Sequence, residues 1–194
     1  MYRKIHEVAT VIAGYTFRGA VTPDSAGSIR VFQAKDLVQG EPVVNIDALT
    51  RISQDASGNS GYLKKSDVLL VARGMRSGAF RSTVFLSDVL NVIASSSVHI
   101  IRVTITDVIP EYISHYLNSK EGQDSLSEIV SGSYIGAIPR KELENIKIPI
   151  PNLNKQQTIV DLHRNIREQQ RILERKNEIK ENIINATFKN LTAK

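Results

Sequence analysis

Short apolar runs alternate with clusters of small and polar residues along the first hundred positions, and a longer, helix-like spacing takes over afterwards. Ile5 to Ile12 reads as a short element ending at Gly14, and SIRVFQAKDL (Ser28 to Leu37) begins as a strand. PVVNIDALTRIS (Pro42 to Ser53) and SDVLLVAR (Ser66 to Arg73) carry the β-branched residues of strands, and Val84 to Thr104 reads as two more. Pro110 to Val130 has helical spacing through Tyr112, Ile113, Tyr116 and Leu117, with Pro110 suited to the first helical position. The order predicts an α+β head with one mixed or antiparallel sheet.

The last quarter has a different pattern. Pro149 and Pro151 flank Ile150, and each fixes its own φ and pushes its predecessor out of the α region, so Ile148 to Pro151 must be extended. Asn152 or Asn154 then caps a helix with no Pro or Gly from Lys155 to Asn190. Such a segment forms a rod of roughly 54 Å at the helical rise, longer than the head it follows. Its apolar stripe runs through Ile159, Leu162, Ile166, Leu173, Ile179 and Ile183, interrupted by Gln169, Gln170, Lys176 and Asn177. Polar breaks in such a seam fix register and partner number. These six apolar residues are the expected partner interface of a coiled-coil-like stalk, against the alternative of a surface helix folded back on its own domain. The chain therefore divides into a head, 1–152, and a helical segment, 153–194.

Charge sharpens this picture. The net charge is +5, with 16 Lys/Arg against 15 Asp/Glu in residues 1–153 and 9 against 5 in the remainder. Within the head Lys64, Lys65, Arg73, Arg76 and Arg81 cluster in sequence around a single acid, Asp67, a pattern able to neutralise phosphates. Glycines in RGMRSGAF (Arg73 to Phe80) allow close backbone approach, and arginine forks suit guanine edges and phosphates alike. SGSY (Ser131 to Tyr134) offers hydroxyls and an aromatic, or an ordinary turn. GYTFRG (Gly14 to Gly19) adds Tyr15 and Arg18, with Phe17 a core residue.

Catalytic patterns are missing. The sequence has no P-loop, GxGxxG, HExxH, GxSxG or Asn/Asp-Pro-Pro-aromatic motif, and no cysteine. The four histidines show no metal-ligand spacing, which predicts neither metal nor cofactor. No apolar run reaches membrane-spanning length and the N-terminal residues lack a signal-peptide pattern, so a cytoplasmic protein is expected.

VATVIAGYTFRG, YLKKSDVLLVARGMRSG, IPEYISHYLNS and SGSYIGAIPRKELENIKIPIPNLNKQQTIVDL, followed by the long helix, together resemble the specificity (S) subunit of type I restriction-modification systems. The most specific stretch is Ile148, Pro149, Ile150 and Pro151, then Gln157, Ile159 and Val160. Where the family usually has Glu-Gln before the Ile-Val pair, this chain has Lys155, Gln156 and Gln157. The resemblance implies a non-catalytic subunit in which a target recognition domain reads half of a split DNA sequence. It also implies helical spacers that pair antiparallel and dock methyltransferase subunits, with restriction subunits as further partners. One domain and one spacer suggest a half-length member acting as a homodimer.

Recognition loops vary too much for base contacts to be transferred from the family, so the candidates rest on chemistry. Tyr15, Arg18, Gln33, Arg73, Arg76, Arg81, Ser133 and Tyr134 are the candidates for reading bases, and Lys35, Lys64 and Lys65 for phosphates. The alternative is an assembly module whose head has lost DNA binding.

Overall fold

A computed structural model of the chain describes residues 1–53, 61–74, 80–131 and 136–192. The strands are β1 (Tyr2–Lys4), β2 (Ala9–Ala13), β3 (Ile29–Phe32), β4 (Thr50–Ile52), β5 (Val68–Val71), β6 (Arg73–Gly74), β7 (Ser82–Val84), β8 (Val92–Ala94), β9 (Val98–Val103), β10 (Gly136–Ala137) and β11 (Lys147–Pro149). The helices are α1 (Ile5–Val8), α2 (Pro110–Asn118), α3 (Lys120–Glu128), α4 (Arg140–Asn145) and α5 (Leu153–Thr192). The expected α+β head with a long C-terminal helix is what forms.

The strands divide between two main sheets where the sequence suggested one. The first is antiparallel in the order β2-β9-β5-β7; the second, β4-β3-β8, pairs β3 with β8 in parallel. Alternation along β5 shows how they stack. Val68 and Leu70 face a core shared with α2, α3 and α4, while Leu69 and Val71 face Phe32, Phe85 and Val92 between the sheets. A strand covered on both faces must be apolar throughout, which explains the unbroken VLLV run. A smaller cluster of Val31, Ile52 and Ile93 on the outer face of the second sheet is covered by Tyr15, Phe17 and Tyr62.

Pro42 to Ser53 is the main departure from expectation. Only Thr50–Ile52 is a strand. Val43 makes an isolated bridge to Phe85, and the chain then turns where Leu49 N–H donates to Ile46 O at 3.1 Å. Ile46 and Leu49 are buried between the sheets, so their apolar character serves packing and not a ladder. Pro110 to Val130 likewise forms two helices, because Ser119 leaves the helical region at φ −70°, ψ 166° and caps α3.

The junction of head and α5 is built on Asn152 and Gln156. Asn152 Oδ1 accepts from Lys155 N–H at 3.0 Å, a side-chain N-cap. The Gln156 side chain, fully buried, accepts from Ile109 N–H at 2.9 Å and donates to Asp107 O and Pro151 O at 2.9 and 2.8 Å. The buried glutamine of the Ile-Pro-x-Pro stretch is thus Gln156; Gln157 is exposed and bonds Asp161. With 40 residues α5 is roughly 60 Å long, and it runs beside α2 before leaving the head. Among the described residues no helix is long and apolar enough to cross a membrane.

Candidate nucleic-acid interface

One end of both sheets gathers most of the polar segments singled out in the sequence. There β2, β3, β5 and β8 finish and β9 begins, and the turn 95–98 ties their ends together. Gly14 N–H donates to Val98 O at 3.1 Å, Tyr15 N–H to Ala94 O at 2.7 Å, and Ser95 N–H to Phe32 O at 2.8 Å. Ala34 N–H donates to Ser97 Oγ at 3.0 Å and Ala72 N–H to Ser97 O at 2.8 Å. Gly14 is required by this closeness, since a Cβ there would stand 2.0 Å from Ser95 O.

Tyr15, Gln33, Arg73 and Arg81 reach this end of the sheets from four separate segments, with Lys35 on the turn after Gln33 and Arg18 three residues beyond Tyr15. Arg18 and Lys35 are exposed, on the segments that follow β2 and β3. Arg81 is half-buried, its Nη2 3.4 Å from Ala34 O, which fixes it beside the Gln33 to Asp36 turn. Tyr15 is half-buried and packs edge-on to Phe17 at 4.7 Å, so its ring is committed to the outer cluster and offers mainly its rim. Phe17 packs there as expected.

Arg73 starts a two-stranded ribbon, Gly74 opposite Gly136 and Arg73 opposite Ala137. Arg76, Ser133 and Tyr134 lie outside the described residues, but the flanks of their loops, Gly74 and Gly136, are cross-strand partners. Ile138 N–H donates to Ala72 O at 2.9 Å, and buried His99 bonds Ile138 O through Nε2 at 2.8 Å. Burial, then the Arg140 and Arg73 cations, push the His99 pKa down, so the ring is neutral near pH 7 and Nε2–H is the donor.

Lys64 and Lys65 are placed elsewhere. They precede β5, whereas Arg73 follows it, so the cluster contiguous in sequence is split between opposite ends of a strand. Lys65 Nζ lies 2.9 Å from Asp88 in an exposed pair, and Lys64 N–H donates to Asp67 Oδ2 at 2.7 Å. Asp67, 1% exposed, holds Arg102 through two bonds of 2.7 Å, and Arg102 also donates to Tyr62 O. The lone acid of the basic stretch is a structural clasp. The Ser95-Ser96-Ser97 turn and His99 were not singled out in the sequence; a triple serine between two apolar runs was the available signal.

Of the apolar residues expected on the stalk interface, Ile159 packs partly buried on the head, beside buried Val160. Leu162, Ile166, Leu173, Ile179 and Ile183 are 43–60% exposed, as are Ile172, Ile184, Phe188 and Leu191 to similar or greater degree. At about 100° per residue, Leu162, Ile166, Leu173, Ile184, Phe188 and Leu191 share one face, and Ile172, Ile179 and Ile183 the adjoining one. Among the described residues no group of three His, Cys, Asp or Glu side chains could hold a metal ion.

A family model described as the type I restriction modification DNA specificity domain matches residues 1–185. Among solved structures the chain is similar to one reported for complex assembly and conformational transition of the type I R-M system (21% identity, TM-score 0.63, covering 98% of this chain and 43% of that one). It is also similar to the HsdS subunit from Thermoanaerobacter tengcongensis (20%, TM-score 0.63, 90% and 39%). A third likeness is to the type I restriction-modification S subunit from M. genitalium (18%, TM-score 0.60, 94% and 42%). At these identities the likeness is one of fold, and the chain spans about two fifths of the length of those chains. No curated protein matches.

Proposed function

Because the chain belongs to the type I restriction modification DNA specificity family, we propose that its head, 1–152, reads one half of a split DNA site with the platform around the turn 95–98. The meeting of the segments that carry Gln33, Lys35, Arg73 and Arg81 at one end of two sheets carries this reading, with Arg18 three residues beyond Tyr15 at the same end. These residues come from segments far apart in sequence, and packing the core does not require forked and amide donors at one rim. Gly74 and Gly136 are cross-strand partners at this rim, and Arg76, Ser133 and Tyr134, outside the described residues, remain candidates on their chemistry. Arginine and glutamine forks would read guanine and adenine edges, while Lys35 would position the backbone. Lys64 and Lys65, on the opposite end of β5, would meet phosphates only if the duplex extends around the head.

The helix α5, residues 153–192, would act as spacer and docking element. Two adjoining apolar faces on one helix suit more than one helical neighbour, which supports an antiparallel second copy on one and a methyltransferase subunit on the other. The chain is then a non-catalytic cytoplasmic subunit, working with methyltransferase and restriction partners that supply the chemistry. Titration of duplex DNA at several salt concentrations tests the DNA-reading role. Binding should weaken steeply with salt, at roughly 0.9 of a log unit per phosphate neutralised for each log unit of salt. Absence of binding at low salt, with α5 still pairing, would leave assembly as the remaining role.

A further inference from the structure

Where α5 leaves the head, a groove of about 450 Å³ lies between the segment Gln39 to Glu41, the C-terminal end of α2, and α5 from His163 to Gln170. Two imidazoles meet there across the junction, with His115 and His163 stacked at 4.0 Å and 7°. Arg167 lines the groove, and no hydrogen bond or ion pair within 4 Å is found for it among the described residues. Arg164 and Arg171 follow on the same side of α5 and extend the row along a neighbouring hollow that also holds Arg167. Among the described residues Glu41 is the carboxylate lining the groove, Glu111 and Glu168 lie in the neighbouring hollow, and Asp161 stands beside Arg164.

Arg164 is paired with Asp161 at 3.2 Å, which leaves Arg167 facing like charges and Glu41 with no direct partner, and cations so placed resist ionisation. Burial, then Arg171, pushes the Arg167 pKa down, with Arg164 adding to the effect and Glu41 opposing it. Burial, His163 and Arg167 bring His115 to about 4, leaving a neutral ring with an N–H to donate. An oxyanion would relieve this repulsion and accept from the guanidinium fork and the imidazoles together. The groove also adjoins the recognition rim. Gly40 N–H donates to Ser82 O at 3.2 Å, and Asn118, on the groove wall, bonds Ser82 N–H and O at 2.8 Å each, one residue from Arg81.

We propose that this groove is a phosphate site, with Arg167 as its forked donor and His115, His163 and Gln170 beside it, and that it holds a backbone phosphate of the bound duplex on the spacer side of the half-site. It rests on the DNA-reading role of the head and adds a contact that senses no base. The head–helix junction would thereby be fastened to DNA as well as to protein.

Imidazole proton signals of His115 and His163 in the full chain, followed while duplex DNA or inorganic phosphate is added, report on the groove. Salt dependence of DNA binding is measured in parallel for wild type, Arg167→Gln and Arg171→Gln, the second being an exposed change that spares the junction. The expectation is that DNA shifts both imidazoles in wild type and less in Arg167→Gln. Each variant should flatten the log–log salt slope by up to about 1 while leaving the order of preferred sequences unchanged. An imidazole response to inorganic phosphate but not to DNA would overturn the duplex as source. Unchanged slopes in both variants, or imidazoles unmoved by either ligand, would overturn the site while leaving the head's DNA reading intact. Failure of wild type to bind any DNA would instead strike at that reading and, with it, the assignment of the groove to a backbone phosphate.

Discussion

Gln156 and Gln157 are neighbours of the same type in a stretch of high family resemblance, yet they have opposite surroundings. Helix phase turns Gln156 into the head, where it satisfies the half-buried Ile109 N–H and two carbonyls, and turns Gln157 toward solvent. Gln156→Ala should therefore cost at least about 1–3 kcal/mol by stranding those groups. Gln157→Ala should stay within about 0.5 kcal/mol. Urea denaturation of the two variants checks this. Nothing in the sequence distinguishes them, because the choice depends on where α2 lies. Asp67 is a similar case: its partner Arg102 is 35 residues away, so the sequence shows an isolated acid among bases and the fold shows a clasp. His115 supplies a pH signature. With its folded pKa near 4 and the ordinary value at 6.5, the unfolded chain takes up the proton first as pH falls. Its contribution to stability is present above pH 6.5 and is lost progressively toward pH 4. The melting temperature of wild type should fall across that window more than that of His115→Gln; parallel curves would refute the assignment.

Elements were legible in proportion to how local their determinants are. The proline pair, the Asn152 cap and the unbroken run after it foretold α5 from adjacent residues alone. Pro42 to Ser53 misled because its β-branched residues are the same ones a buried irregular segment uses, and only the second sheet tells Ile46 and Leu49 where to point. The end of the sheets proposed to meet DNA could be anticipated as candidate residues and not as a place. Tyr15, Gln33, Arg73 and Arg81 were each identifiable by chemistry, while the turn 95–98 that unites them has no charge or aromatic to draw notice. The exposed faces of α5 give the element-scale prediction. Leu173 and Ile183 are 57% and 60% exposed in the single chain, so the Leu173→Ala, Ile183→Ala double variant should leave the folding of the head unchanged. In a paired helix each loss would be about 2–5 kcal/mol and would count twice. Sedimentation should show wild type associated and the double variant dissociated; equal sedimentation coefficients would place the stripe outside any self-contact. Cutting the chain at Asn154 is a poorer test, since it removes Gln156 and Val160 from the head's own core.

For the whole molecule, the head offers a rim of donors, the helix offers apolar faces, and the two are joined at a charged groove. A rigid junction matters because the distance between two heads would be set by α5 and not by any base contact. Two equivalent heads on antiparallel helices would meet DNA in opposite orientations, and the bases between their half-sites would go unread. Selection of bound duplexes from random DNA, with the methyltransferase partner supplied, tests this arrangement most directly. An interrupted palindrome with a gap of fixed length should be recovered, with Arg76→Ala relaxing one position in each half-site, each such contact contributing roughly 1–3 kcal/mol. Recovery of continuous or asymmetric sites, or identical sequence preferences for wild type and Arg76→Ala, would contradict it.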